Sequence, residues 1–260
     1  LNRTIEDLAA ELDFARQEIY EITVAGNSTM RDILFRLDVQ GIGQKPYKSL
    51  IEHEYIEGKR QTMALTEKTR RLGLRANPQA RVYSLPLIGS HVGADTAAAL
   101  LAIGMTHASE AAMLVDVGTN TEVVIAYRGR MLTASCPAGP AFEGGLIRYG
   151  MPGYEGAIES IRVGDAGFEY NTIGGAAPRG ICGSGLIDLL AELRRHELMK
   201  PKGMFADRSY EMDIVPDAGI TFSREDASNL AQAKAANYCG QYILLRHLGL
   251  NPRDITHLYL

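Results

Sequence analysis

Asp116-Val117-Gly118-Thr119-Asn120-Thr121-Glu122 is the segment whose residue types best match a chemical task. A carboxylate stands near the end of an apolar run, 113–117, that reads as a central buried strand. A glycine then permits a tight turn, and small hydroxyl and amide residues follow. Successive backbone N–H groups in such a turn can form a concave nest for phosphate oxygens. The carboxylate can hold Mg²⁺, directly or through water, because that ion takes a few carboxylates plus phosphate oxygens. The plainer alternative is an ordinary hairpin with a buried, hydrogen-bonded aspartate.

Other junctions offer weaker versions of the same chemistry. Gly26-Asn27-Ser28-Thr29 lies between an expected strand and helix, where free N–H groups and the positive end of the helix dipole suit an anion. Taken alone, an N-cap without a ligand explains it better. Gly183-Ser184-Gly185 repeats the arrangement, with glycines that allow closer backbone approach. Cys182 beside it has no His/Asp partner pattern and reads as a small buried thiol. In Gly93-Ala94-Asp95, the aspartate can orient or deprotonate an attacking water, or simply cap the following helix. Glu143, in the loop Gly139-Pro140-Ala141-Phe142-Glu143-Gly144-Gly145, can contact a ribose, support a metal, or serve as a plain loop carboxylate.

Competing phosphate motifs are missing. There is no G-x-x-x-x-G-K-[ST], and no G-x-G-x-x-G after a strand. The six histidines show no metal-ligand spacing, and His91 stands out only because it precedes Asp95 in its loop.

The elements that must position these residues follow from periodicity. Residues 1–19 read as a helix with Leu8, Leu12, Ala15 and Ile19 on one face, 20–25 as a strand and 30–37 as a helix. Residues 38–60 look irregular, 66–74 suggest a short helix, 81–87 a strand and 96–104 an alanine-rich helix. Residues 122–127 and 130–135 pair as a hairpin across Arg128-Gly129. A glycine-rich region with short strand-like pieces runs to Gly175, and a helix follows over 186–195. A long helix runs from Ser223 to Leu248, where Ser223-Arg224-Glu225-Asp226 resembles a capping box, and 255–260 read as a strand.

Composition sets the outer bounds. The chain has 260 residues, 46% apolar and 22% charged, so it can bury a sizeable core in one large domain or two lobes. Net charge is −4 without a basic run, which argues against nucleic acid, and no long apolar stretch suggests a membrane helix. Three cysteines, Cys136, Cys182 and Cys239, fit a reducing cytoplasm and are too few for a four-thiolate cluster in one chain. Glycine is the outlier, and 18 of the 27 glycines fall between Gly89 and Gly185, where most of the candidate loops lie.

The motifs together resemble a known family. The 114–122 segment resembles the second phosphate motif of the ASKHA superfamily (acetate and sugar kinases, heat-shock chaperones, actin), and Gly93-Ala94-Asp95-Thr96-Ala97-Ala98-Ala99-Leu100 its connecting helix. With 24–30, 85–89, 138–144, 172–175 and 180–188, the set resembles the ATP-dependent reductive activators of corrinoid proteins over about residues 20–260.

The resemblance implies an α/β, two-lobed actin-like (ribonuclease H-like) fold. Residues 1–104 would be part of the first lobe with its connecting helix, and 105–260 the second lobe. It implies an ATPase that drives reduction of a Co(II) corrinoid protein to Co(I) for methyl transfer, with ATP–Mg²⁺ between the lobes. Asp116 would position Mg²⁺; Gly118, Thr119 and Asn120 would cradle the β/γ-phosphates; Asp95 would orient water. Gly26, Asn27, Ser28, Thr29, Glu122, Glu143, Gly144, Gly183, Ser184 and Gly185 complete the implied nucleotide site. The implied partners are a corrinoid protein and an electron donor acting through an iron–sulfur module outside this chain, with a homodimer as a candidate assembly. The family's first phosphate hairpin (Asp-x-Gly-Thr-Thr), its adenosine loop and its cluster cysteines do not occur here, which implies an internal piece of an activator. A small-molecule kinase on the same fold and a non-catalytic interaction domain are the alternatives.

Overall fold

A computed structural model describes residues 1–165 and 167–260. The chain divides into two compact units, Leu1–Ala112 with Ala126–Thr133, and Met113–Ile125 with Ala134–Leu260.

In the first unit, helix α1 (Asn2–Glu11) is shorter than the expected 1–19. Asp13 adopts φ 50°, a left-handed conformation that ends the helix, and a 3₁₀ turn follows at Arg16–Glu18. None of the residues of α1 is buried. Strand β1 (Glu21–Val24) leads to α2 (Ser28–Leu34), which Asn27 caps by accepting a 2.9 Å hydrogen bond from Met30 N–H. The stretch 38–60, expected to be irregular, holds α3 (Leu50–Ile56), capped by Ser49. Residues 65–72 split into strand β2 (Leu65–Lys68) and the short α4 (Thr69–Leu72). β2 pairs antiparallel with β3 (Arg81–Ser84), so cross-strand bonding overrides the local helical pattern. Helix α5 (Ala94–Ala102) follows β3 in this unit.

The sheet order is β1-β3-β2, and β1 runs parallel to β3 with Val24 opposite Ser84. Parallel neighbours end at the same sheet edge. The loops after β1 and β3 are therefore side by side, the usual place for ligand-facing residues in an α/β sheet. Val82, Ile51, Ala94 and Leu100 form part of the buried interior, and Arg31 and Asp32 are fully buried as an ion pair at 2.7 Å.

A four-stranded sheet of order β12-β4-β5-β6 is built from β4 (Ala112–Val117), β5 (Thr121–Tyr127), β6 (Arg130–Cys136) and, after the elements below, β12 (His257–Tyr259), with Ala126–Thr133 counted in the first unit. The β5–β6 turn has φ 49° at Arg128 and 72° at Gly129, both left-handed, as a two-residue hairpin with matching twist requires. The glycine-rich region contains longer strands than expected: β7 (Ala157–Gly164) pairs antiparallel with β8 (Gly167–Thr172) and parallel with β9 (Gly180–Ile181). Helix α6 (Gly183–Arg195) packs on β7, burying Leu186, Leu189 and Leu193 completely. An antiparallel pair, β10 (Glu211–Val215) and β11 (Ile220–Ser223), supplies Ile214 and Phe222 to the same core.

Helix α7 (Arg224–Leu248) has the expected capping box. Ser223 Oγ accepts from Asp226 N–H at 3.1 Å, and Ser223 N–H donates to Asp226 Oδ2 at 2.9 Å. Asp226 Oδ1 also accepts from Arg148 N–H at 2.8 Å, tying the loop after Gly145 to the start of the helix.

Candidate functional site

In the first unit the structure joins two of the candidate loops. Asp95 N–H donates to Gly26 C=O at 3.2 Å. A Cβ on Gly93 would stand 2.8 Å from Asn27 Cα and 2.5 Å from Asp95 Oδ1, so a side chain there would push the loops apart. Asp95 is not the helix cap. α5 begins at Ala94 with Gly93 as N-cap, and Asp95 lies within the first turn, its Oδ1 accepting from Thr96 N–H at 2.8 Å. Its carboxylate is half-buried. Asn27 spends its side chain on capping α2, the plainer alternative for that junction, while Ser28 is buried and Thr29 exposed. His91 is exposed and packs its ring against Tyr47 at 6.4 Å.

In the second unit three candidate loops meet. Asp116 is exposed near the end of β4, where the plainer reading placed a buried aspartate, and Thr119 and Asn120 are exposed in the turn that follows. Thr119 Oγ1 donates to Glu143 Oε2 at 2.5 Å, and Thr119 C=O accepts from Gly139 N–H at 2.8 Å. Glu143 ends a 3₁₀ turn, Pro140–Glu143, whose C-cap Gly144 is left-handed at φ 84°. The same turn abuts the start of α6: a Cβ on Gly183 would lie 2.1 Å from Phe142 C=O, a contact that excludes every side chain. Cys182, the N-cap of α6, makes no capping bond with its side chain. Its buried thiol instead donates to Ile158 C=O at 3.4 Å, in keeping with a structural role. Ser184 Oγ is turned to Glu159 C=O at 2.8 Å, which leaves this part of the helix start to offer backbone rather than hydroxyl. Gly185 faces Ile158 C=O. Glu122, on β5, accepts from Ser135 Oγ at 2.9 Å across the hairpin.

No group of three or more His, Cys, Asp or Glu side chains gathers as a metal site among the described residues. The exposed Asp116 carboxylate beside the 118–120 turn, with Glu143 bonded to that turn, fits Mg²⁺, which takes few protein carboxylates and draws most of its ligands from phosphate and water. Cys136 and Cys182 are buried and Cys239 exposed, a set that does not fit a four-thiolate cluster. Burial pushes the Cys136 thiol up, with smaller contributions from the neighbouring Cys239 and Glu122, so it is a poor nucleophile. Among the described residues, no helix is long and apolar enough to cross a membrane.

Sequence reasoning missed α3 and with it Glu52, whose carboxylate holds Ser90 in the loop that leads to Asp95. The signal was there in Ser49-Leu50-Ile51-Glu52, a serine three residues before a glutamate.

This combination of an α/β fold, an aspartate near a strand end, a glycine turn and a helix start without a side-chain cap fits the ASKHA fold that the sequence resembles. Residues 110–260 match the family model described as the C-terminal domain of RACo, the ASKHA domain, and residues 1–108 match the RACo middle region. The chain belongs to the RACo family of corrinoid reductive activators, and its fold is the ASKHA fold.

It is similar to the corrinoid activation enzyme RamQ of Eubacterium limosum, 29% identical over 99% of this chain and 46% of that protein. It is also similar to the [Co(II) methylated amine-specific corrinoid protein] reductase of Methanosarcina barkeri, 24% identical over 67% of this chain and 36% of that protein. A solved reductive activator for corrinoid, iron–sulfur protein superposes with a TM-score of 0.82 at 31% identity, covering 99% of this chain and 42% of that one. The chain thus spans less than half the length of these relatives.

Proposed function

We propose that the protein carrying this chain couples ATP hydrolysis to reduction of an inactive Co(II) corrinoid protein to Co(I), restoring it for methyl transfer. Family membership supports this reading, as do the activities in the names of its relatives. The observation that carries the ATP part is the meeting of the 118–119 turn, the Glu143 loop and the start of α6 in one unit. We read residues 1–104 as part of the first ASKHA lobe and 105–260 as the second.

In this reading Asp116 holds Mg²⁺, directly or through water. When bound, Mg–ATP supplies a phosphoryl group whose transfer to water releases the free energy that drives an uphill reduction. Gly118, Thr119 and Asn120 offer backbone N–H groups to the β/γ-phosphates. Gly183, Ser184 and Gly185 add the first amides of α6, where the helix dipole favours anions. Glu143, anchored by Thr119, and Gly144 face the ribose or the metal's waters, and Glu122 braces the turn from β5. Gly26, Asn27, Ser28 and Thr29 adjoin Asp95 as an anion-facing loop. Asp95 orients the attacking water and accepts its proton as the new P–O bond forms and the bond to the leaving ADP oxygen breaks. Coupling to electron transfer requires the nucleotide to bind two conformations with different affinity. The partners are a corrinoid protein and a donor acting through an iron–sulfur module elsewhere in the full-length protein.

The test is a melting experiment on the full-length protein. Mg–ATP should raise the melting temperature, and Asp116→Ala should abolish the rise. Absence of any ATP-induced shift overturns nucleotide binding and favours an interaction scaffold. A Co(I) absorbance signal that forms from the Co(II) partner and a donor without ATP overturns the coupling.

A further inference from the structure

Helix α3 and the loop before α5 are joined by an unusual cap. In an ordinary capping box, the serine hydroxyl takes the N–H three residues on, and the glutamate carboxylate returns to the serine N–H. Here Ser49 Oγ does accept from Glu52 N–H at 3.1 Å. The return leg is open, and Ser90 from the distant loop fills it. Ser49 N–H donates to Ser90 Oγ at 2.8 Å, and Ser90 Oγ in turn donates to Glu52 Oε2. Ser90 N–H donates to the same oxygen at 2.9 Å. Lys48 occupies the other carboxylate oxygen. Ser49 and Ser90 are buried, and the Glu52 side chain is 13% exposed.

This clamp fixes Ser90 at the head of a locked segment. Ile88 and Gly89 N–H groups both donate to Val92 C=O, and Val92 N–H returns to Gly89 C=O at 3.0 Å. Gly93 follows without room for a side chain, and Asp95 is then pinned to Gly26. Each step from Glu52 to Asp95 is thus a hydrogen-bonded turn or a close backbone contact within one unit.

We infer that Glu52 is a positioning residue for Asp95: through Ser90 it sets where the Asp95 carboxylate stands and so how well that carboxylate orients the attacking water. The inference rests on the role proposed for Asp95. It predicts a loss in kcat rather than in ATP binding, because positioning errors near 1 Å cost rate steeply.

The test measures steady-state phosphate release and melting temperature of the full-length protein with four variants: Asp95→Asn, Glu52→Gln, Ser90→Ala, and the Asp95→Asn/Glu52→Gln double. Glu52→Gln and Ser90→Ala should each lower kcat on the order of 10-fold while leaving KM for ATP within about twofold. The double variant should be no slower than Asp95→Asn alone, since Glu52 acts through Asp95. If Asp95→Asn leaves phosphate release at the wild-type rate, the assignment of Asp95 fails, and with it the reading this inference rests on. If Asp95→Asn is slow but Glu52→Gln and Ser90→Ala keep the wild-type kcat, the positioning role alone is overturned. Equal losses from Glu52→Gln in the presence and absence of Asp95, or a lowered melting temperature with unchanged kcat, show a merely structural clamp and also overturn it.

Discussion

Thr119 shows how one residue can be right in type and still be constrained by its surroundings. Its hydroxyl and its carbonyl are both tied to the 139–143 loop, so backbone amides are what the turn can offer a phosphate. Removing that tie with Glu143→Ala should loosen the turn and weaken Mg–ATP binding about 3- to 10-fold in a titration, the effect of losing roughly one ordinary solvent-exposed hydrogen bond. Gly183 is constrained by space alone. Gly183→Ala would drive a methyl into Phe142 C=O and should cost about 1–3 kcal/mol in a urea unfolding experiment.

Glu52 carries a pH signature. Burial opposes its charge, but the hydrogen bonds from Lys48 and Ser90 outweigh this and hold its carboxyl below the usual carboxylate range. A depressed folded-state value means the stabilisation is complete above the unfolded value and is lost as pH falls through the folded one. Melting temperature should therefore fall more steeply in wild type than in Glu52→Gln once pH drops below about 4.3, the ordinary glutamate value.

At the scale of elements, caps and pairing decide what periodicity leaves open. The Ser223–Asp226 box places α7 where the pattern put it, and Ser223→Ala should cost about 1 kcal/mol of unfolding free energy. The Leu193 side chain on α6 is fully buried against the second unit's core, so Leu193→Ala should cost about 2–5 kcal/mol. The short helix expected over 66–74 forms only at 69–72, because 65–68, with no strong strand alternation, is recruited to the edge of β3. The sequence pattern passed over α3 because seven residues give too little periodicity to read, although its Ser49/Glu52 cap was in view. The strands β7 and β8 hid among glycines, whose presence usually weakens a strand reading.

At the scale of the whole molecule, the glycine excess acquires a physical reason. Glycines at 93 and 183 sit where backbone meets backbone, at the joints between candidate loops. The chain's share of its relatives, under half their length, means that nucleotide affinity and coupling belong to measurements on the full-length protein. There, Mg–ATP at about 100 times its Kd should add roughly 2.7 kcal/mol of stability. If nucleotide state drives the reduction, Mg–ADP should shift the melting temperature by a different amount. Equal shifts from matched saturating ATP and ADP would argue against differential binding as the source of coupling.

The sequence by itself determined the family, because the motifs that carry the resemblance are short local runs, among them an acid near a strand end, a glycine and small residues in order. It also determined the long helix α7 and the β5–β6 hairpin, whose caps and turn residues lie within a few positions of each other. Only the tertiary structure decided which loops are neighbours. Parallel pairing of β1 with β3 sets residue 26 beside residue 95, and the packing of α6 on β7 brings residue 183 to residue 142. The bond from Glu52 to Ser90 crosses 38 positions of chain. Such contacts depend on where the chain returns in space, and no local pattern encodes that.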